Sequence, residues 1–244
     1  MSDFTKIFSD RLQEIDAYLA LLETLEQAVR SGSPRFTKSE TKITPQQQHI
    51  LYSSFYLQLY NLVEATITRC IEAFTTSVFI KESWFPADLS VELRKEWVRY
   101  IARTHSELNR ENRLAGALRL CDHFIQSLPV SEFNIDKGGG GNWDEEKIQK
   151  IASRLGLSLQ ISKETNEGIK RQLYNDKGAL VHIKDLRNEL AHGSLSFAEC
   201  GRNVTVRDLR DLKKRIVAYL EEVIASFQRS INNYEFLSPD KRPR

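Results

Sequence analysis

An all-α fold follows from three observations on this sequence of 244 residues. Apolar residues recur at three- and four-residue steps through long stretches. Several of those stretches open on recognisable cap residues. No segment alternates polar and apolar residues between paired turn signals, as a half-buried strand would. The expected architecture is a helical bundle of long antiparallel helices with short inserted helices. Its expected organisation is a single helical domain over residues 1–238, with an N-terminal helix and connector at 1–43, a core bundle at 44–238 and a disordered tail at 239–244.

The first helix is expected from about Asp3 to Arg30, where Phe8, Leu12, Ile15, Leu19, Leu22, Leu25 and Val29 form one apolar stripe. Gly32, Ser33 and Pro34 stop it, and a polar connector runs to Lys42. Thr44-Pro45-Gln46-Gln47 then combines a cap, a proline at the first helical position and a glutamine at the capping-box position. The helix it starts meets no Gly or Pro until about Val78, long enough to be the spine of a bundle. Leu51, Phe55, Leu59, Leu62, Ile67, Cys70, Ile71 and Phe74 are its expected buried face. Tyr52, Tyr56 and Tyr60 make a second row that reads as packing or dimer surface rather than as a platform for stacked bases. Glu64 interrupts the apolar run around it. It either turns to solvent or pairs with a cation in a polar site, since an unpaired buried carboxylate is costly.

After a connector from Lys81 to Leu89, Ser90 caps a helix carrying Leu93, Trp97, Tyr100 and Ile101. The next helix carries Leu114, Leu118, Leu120, Phe124 and Ile125, and Pro129 closes that region. Gly138-Gly139-Gly140-Gly141 lacks the Gly-Lys-Ser/Thr that a phosphate loop needs, so it reads as a mobile loop ahead of a helix that starts at Asp144 and ends at Gly156. Leu157–Gly168 is irregular with room for one small helix. A helix from about Gly178 runs through Leu180, Ile183, Leu186 and Leu190 to Gly193, and 194–203 reads as a loop. Thr205, with Asp208 in the box position, caps a last helix striped from Leu209 to Ile231.

Composition narrows the function classes. Hydrophobic residues make up 41% and charged residues 28%, ordinary values for a globular chain, and the net charge of +2 provides no global field for polyanions. Cys70, Cys121 and Cys200 are odd in number and scattered, which argues against a disulfide framework and a zinc site. No apolar run has the roughly 20 residues that span a bilayer. With no signal peptide evident, a cytoplasmic protein is expected. His49, His105, His123, His182 and His192 form no HExxH or i,i+4 pair, there is no GxSxG elbow, and no carboxylate cluster resembles a magnesium site. No cofactor is expected.

The stretch Arg187-Asn188-Glu189-Leu190-Ala191-His192-Gly193 remains. An arginine fork matches phosphate oxygens and can stabilise charge on pentavalent phosphorus, and a histidine can take or give a proton near neutral pH. RNA carries its own nucleophile, the 2′-hydroxyl, so Arg plus His suffices for its cleavage without metal; DNA lacks that group. On a regular helix the two side chains stand about 140° and about 7.5 Å apart. They would converge more easily if the helix loosens at Ala191–Gly193 or if a second copy brings its own motif close. The plainer reading is a surface histidine before a C-terminal glycine, where the helix dipole favours it, with Arg187 in a local ion pair.

Arg187-Asn188-Glu189-Leu190-Ala191-His192 resembles the R-x4-6-H motif of the HEPN superfamily. The likeness extends from about Gln48 to Leu237. It includes Leu51–Phe55 leading to Leu59–Glu64, Gly141-Asn142-Trp143-Asp144, His182–Leu186, Gly193–Phe197 and the Thr205-capped last helix. The resemblance implies an α-helical domain of a bacterial conflict-system branch that acts as a homodimer, two motifs meeting in one composite active site. It also implies a metal-independent endoribonuclease with RNA as substrate, the toxin or effector of a toxin–antitoxin or antiphage system, with an antitoxin or NTPase as partner protein. In that frame Arg187 holds the scissile phosphate, His192 transfers protons, Asn188 orients substrate or His192, and Glu64 positions Arg187. His192-Gly193-Ser194 lacks the tyrosine found two residues after the histidine in toxins controlled by nucleotidyltransferases, which argues against that partner. The alternative is a non-catalytic module using the same cleft to bind RNA, a nucleotide or a protein.

Overall fold

The computed structural model of the chain describes residues 3–32, 34, 42–79, 83–104, 107–130, 133–138, 142–172 and 176–243. Ser33, the connector residues 35–41, Lys81, His105 and Gly139–Gly141, which all enter the sequence reading, lie outside the described residues. The described regular elements are helices: α1 (Asp3–Arg30), α2 (Pro45–Ser77), α3 (Val91–Ala102), α4 (Arg110–Ile125), α5 (Glu145–Arg154), α6 (Lys163–Lys170), α7 (Ala179–His192), α8 (Phe197–Cys200) and α9 (Val206–Asn232). An isolated antiparallel bridge joins Leu89 and Leu237, and no strand occurs among the described residues. The fold is all-α, and none of the described helices is long and apolar enough to cross a membrane.

Cap chemistry sets the helix starts where the sequence places them. The Thr44 N–H donates to Gln47 Oε1 at 2.8 Å, and the Gln47 N–H donates back to Thr44 Oγ1 at 3.2 Å. Thr205 and Asp208 make the same reciprocal pair ahead of α9, and Ser90 accepts from the Leu93 N–H ahead of α3. Each such cap satisfies backbone donors that the helix leaves over, for about 1 kcal/mol. One start falls in what the sequence reading left as a loop. Ser196 and Glu199 form a complete capping box, so 194–203 contains the one-turn helix α8. The Ser-x-x-Glu signal was present, but no apolar run follows it to mark a longer helix.

The chain divides into two compact units. The first is built from residues up to Thr66, from Trp143–Glu145 and from Ile161–Glu221. Here Phe8, Ile15, Leu19, Leu22 and Leu25 of α1 are buried as expected, while Val29 is exposed. The first part of α2 is buried on more than one face: Phe55, Leu59, Leu62 and Val63 are joined by Tyr52, Tyr56 and Tyr60. Buried surface all round is the mark of a central helix. Charged pairs link α1 to α9 along its length. Arg210 meets Glu23 at 2.6 Å and Lys213 meets Asp16, while the Val206 N–H donates to Glu26 Oε1 at 3.3 Å. Gly201, just after α8, lies so close to the start of α2 that an added Cβ would come within 2.0 Å of the His49 carbonyl oxygen. Only glycine allows that approach.

The second unit takes Ile67–Asn142, Glu146–Gln160 and the chain from Glu222 onward. Phe74 is its hub, with Phe227 and Phe236 set edge-on to it at 6.3 and 6.2 Å. Glu96 is buried to 3% exposure and is fully engaged: Arg154 donates to both carboxylate oxygens and Arg99 to one of them. In α4 the sequence pattern and the structure part company. The helix forms, yet Leu114, Leu118, Phe124 and Ile125 are all exposed, and Gly116 is its buried residue. In the tail expected to be disordered, Pro239–Lys241 makes a 3-10 turn, and Lys241 Nζ lies 3.1 Å from Asp88.

Candidate active site

Every candidate site residue belongs to the first unit, and α7 carries three of them. Its apolar residues Leu180, Ile183 and Leu190 are buried, which fixes the rotation of the helix and leaves Arg187 half-buried at the margin of that face. Three neighbours hold the guanidinium. Nη1 donates to Asn188 Oδ1 at 2.9 Å, Nη2 stands 4.0 Å from Glu64 Oε2, and the guanidinium carbon lies 5.1 Å from the centroid of the Tyr60 ring. A cation over an aromatic face at a partly exposed position gains about 0.5–1 kcal/mol. The Glu64 contact at partial exposure adds little stability, but it gives the fork a direction.

Tyr60 belongs to the row that the sequence marks as packing or dimer surface. It is fully buried, and its hydroxyl accepts the Trp143 N–H at 3.0 Å. Burial, more than any other influence, pushes its hydroxyl above the ordinary tyrosine range, so the ring stays a neutral floor under Arg187. The signal for this was in the spacing. Tyr56, Tyr60 and Glu64 follow at four-residue steps, so one stripe of α2 offers an aromatic face and then a carboxylate to whatever packs beside it.

Next to this group, Lys184 Nζ pairs with Asp144 Oδ2 at 2.7 Å and Lys177 Nζ with Asp185 Oδ2 at 2.7 Å. His182 is buried edge-on to Tyr56, with ring centroids 5.6 Å apart. Burial, aided by the positive charge of Lys177 and opposed by Asp185, lowers its pKa below 6.5. The sign of the consequence is definite. As pH falls through about 6.5 the unfolded chain binds this proton first, so His182 favours the fold above that value and progressively disfavours it below. The melting temperature is expected to fall between pH 7 and pH 5, and His182→Gln is expected to flatten that slope in thermal scans followed by circular dichroism. An unchanged slope in the variant would remove His182 from the account.

His192 is placed apart from this constellation. It is the last residue of α7 and is exposed, and no described hydrogen bond or ion pair involves it. The helix does not loosen ahead of it. Gly193 adopts φ +73°, its N–H reaches the Glu189 and Leu190 carbonyls, and the Ser194 N–H closes the end on Glu189 O at 3.0 Å. Arg187 and His192 of one chain therefore keep the separation of a regular helix, about 140° and about 7.5 Å. Of the two routes to convergence, loosening at Ala191–Gly193 is not the one taken. The structure thus gathers Arg187, Asn188 and Glu64 on the Tyr60 floor and leaves His192 at the helix end. Among the described residues no group of three His, Cys, Asp or Glu side chains is positioned to hold a metal ion.

A family model described as HEPN_MAE_28990-like HEPN covers residues 2–236. No curated protein and no solved structure matches the chain. The α7 motif and the long helices around it are thus embedded in a full-length family match, and the chain belongs to the HEPN_MAE_28990-like family of the HEPN superfamily.

Proposed function

We propose that this protein is a metal-independent endoribonuclease, the toxin or effector of a toxin–antitoxin or antiphage defence system, acting on RNA in the cytoplasm. The observation that carries the reading is the state of Arg187. It is held between Tyr60, Glu64 and Asn188 with a third of its side chain still open to solvent. A donor fork fixed in this way is suited to hold a scissile phosphate and to stabilise the charge that develops on it. Membership in a superfamily whose domains are often ribonucleases supports the same reading.

In the proposed reaction the substrate 2′-hydroxyl attacks the adjacent phosphorus and the 5′-oxygen leaves. The products are a cyclic phosphate and a free 5′-hydroxyl. His192 takes the proton from the 2′-hydroxyl or delivers one to the leaving oxygen, Arg187 binds the non-bridging oxygens, and Asn188 and Glu64 orient Arg187. Because a regular α7 holds the pair apart within one chain, a second copy supplies the complementary half of the site. An antitoxin or NTPase partner would govern access to it.

Purified protein is expected to cut single-stranded RNA in excess EDTA and to leave cyclic phosphate ends. A strand with 2′-deoxyribose at the scissile position is expected to stay intact. Cleavage that requires magnesium, or equal cutting of the deoxy strand, would overturn the mechanism. The net charge of +2 favours a second reading, a non-catalytic binding module. Expression toxicity in a bacterium that His192→Ala relieves would decide against the module.

A further inference from the structure

The second unit holds a cavity of about 360 Å³ at the end of α2. That is the size of a site for a small molecule. Glu72, Thr75 and Thr76 line it from α2, where three- and four-residue steps put them on one face of the helix. Phe79 just beyond the helix, Tyr100 of α3 and Phe133 bring three aromatic rings to the same space. These rings are crossed rather than stacked. Phe79 and Phe133 stand 6.1 Å apart at 84°, and Tyr100 and Phe133 stand 6.3 Å apart at 50°. Stacked rings would cover one another's faces; crossed rings leave face area open to a third group.

Three features select the charge of that group. Aromatic faces attract cations through the ring quadrupole. Glu72 adds a carboxylate at the edge of the rings. The cavity also sits at the C-terminal, negative end of a 33-residue helix that has no basic side chain in its last turn. An ammonium group of the chain itself is already drawn to the carboxylate. Lys137 Nζ stands 3.5 Å from Glu72 Oε1, while Arg69 holds Oε2 at 2.9 Å. The Lys137 distance is well beyond the about 2.7–2.9 Å of a charge-assisted bond, so Oε1 has room for a better donor. Thr75 Oγ1 donates its proton to the Ile71 and Glu72 carbonyls, which leaves its lone pairs to accept.

The geometry points to this cavity as a binding site for a small alkylammonium cation. Its hydrocarbon stem lies against Phe79, Tyr100 and Phe133, and its N–H groups face Glu72 Oε1 and the threonine hydroxyls. A cation with N–H groups fits better than a fully methylated one, because the acceptors beside the rings would otherwise go unused. The site belongs to the second unit and does not rest on the proposed ribonuclease activity.

The test titrates the full chain with butylammonium and follows binding by saturation-transfer NMR. Saturable binding is expected, with butanol, the uncharged counterpart, not binding and tetramethylammonium binding more weakly. Glu72→Gln and Tyr100→Ala alter side chains that reach solvent, and circular dichroism checks that each variant keeps its fold. Each is expected to weaken butylammonium binding by about tenfold or more. Absence of saturable binding to the unaltered chain, or full-strength binding by either variant, would overturn the site. Tighter binding of tetramethylammonium than of butylammonium would overturn the role given to Glu72 and the threonines.

Discussion

Arg187→Ala and His192→Ala chains are each expected to lose RNA cleavage, by a factor of about 10² to 10⁴ if each supplies an ordinary acid–base or charge-stabilising contribution. Mixed in equal amounts and allowed to exchange subunits, the two dead proteins are expected to recover activity. In a two-fold symmetric dimer where each site takes Arg187 from one chain and His192 from the other, a mixed dimer carries one site with both defects and one with neither. Half of the dimers are mixed and half of their sites are intact, so recovery should approach about a quarter of the wild-type rate. The geometry that motivates this is the regular end of α7, closed by Gly193 at φ +73°, which keeps the two side chains of one chain on different sides of the helix. Single-turnover cleavage of a labelled RNA by the mixture decides the matter. If the mixture stays as inactive as its components, the site is complete within one chain or does not exist.

The second large effect concerns Tyr60. Tyr60→Ala removes a fully buried ring and is expected to cost about 3–5 kcal/mol, a large share of the about 5–15 kcal/mol that holds a domain together. Tyr60→Phe keeps the ring and its face toward Arg187 but leaves the Trp143 N–H without its acceptor, a loss of about 1–3 kcal/mol. Urea unfolding monitored by circular dichroism ranks the three proteins. On the folded fraction, the phenylalanine variant should retain most cleavage and the alanine variant should lose it, because Arg187 then has no floor. Equal unfolding midpoints for the wild-type and alanine chains would show that the ring is not part of the core.

Much of this arrangement is legible in the amino-acid order because local rules and burial agree. Thr44, Ser90 and Thr205 announce their helices by chemistry that needs nothing from the rest of the chain, and the α1 and α9 stripes bury what a period of 3.6 residues says they should. The Arg187–Glu64 pairing is what the family resemblance implies; the apolar stretch around Glu64 by itself leaves open whether the carboxylate turns to solvent or meets a cation. What the amino-acid order does not reveal depends on long-range placement. Tyr60 is indistinguishable from a packing tyrosine until Trp143 and Arg187 are set beside it, 83 residues away in the case of Trp143. In α4 the periodicity is real, but Leu114, Leu118 and Ile125 lie on an exposed face, and nothing in a single sequence separates such a stripe from a core stripe. The short α8 was lost for the opposite reason: its capping box is complete, but one turn is too brief to show a period.

The way the first unit is threaded bears on when the site comes into existence. Its α1–α9 pairs join residues separated by 187 and 197 positions, Arg210 with Glu23 and Lys213 with Asp16. A chain emerges from the ribosome at about 5–20 residues per second, so α1 waits roughly 10–40 s for its α9 contacts. Arg187, Glu64 and Tyr60 belong to the unit that those contacts close. A nascent chain would thus already hold Tyr60, Glu64 and Arg187 before the α1–α9 pairs of the same unit could form.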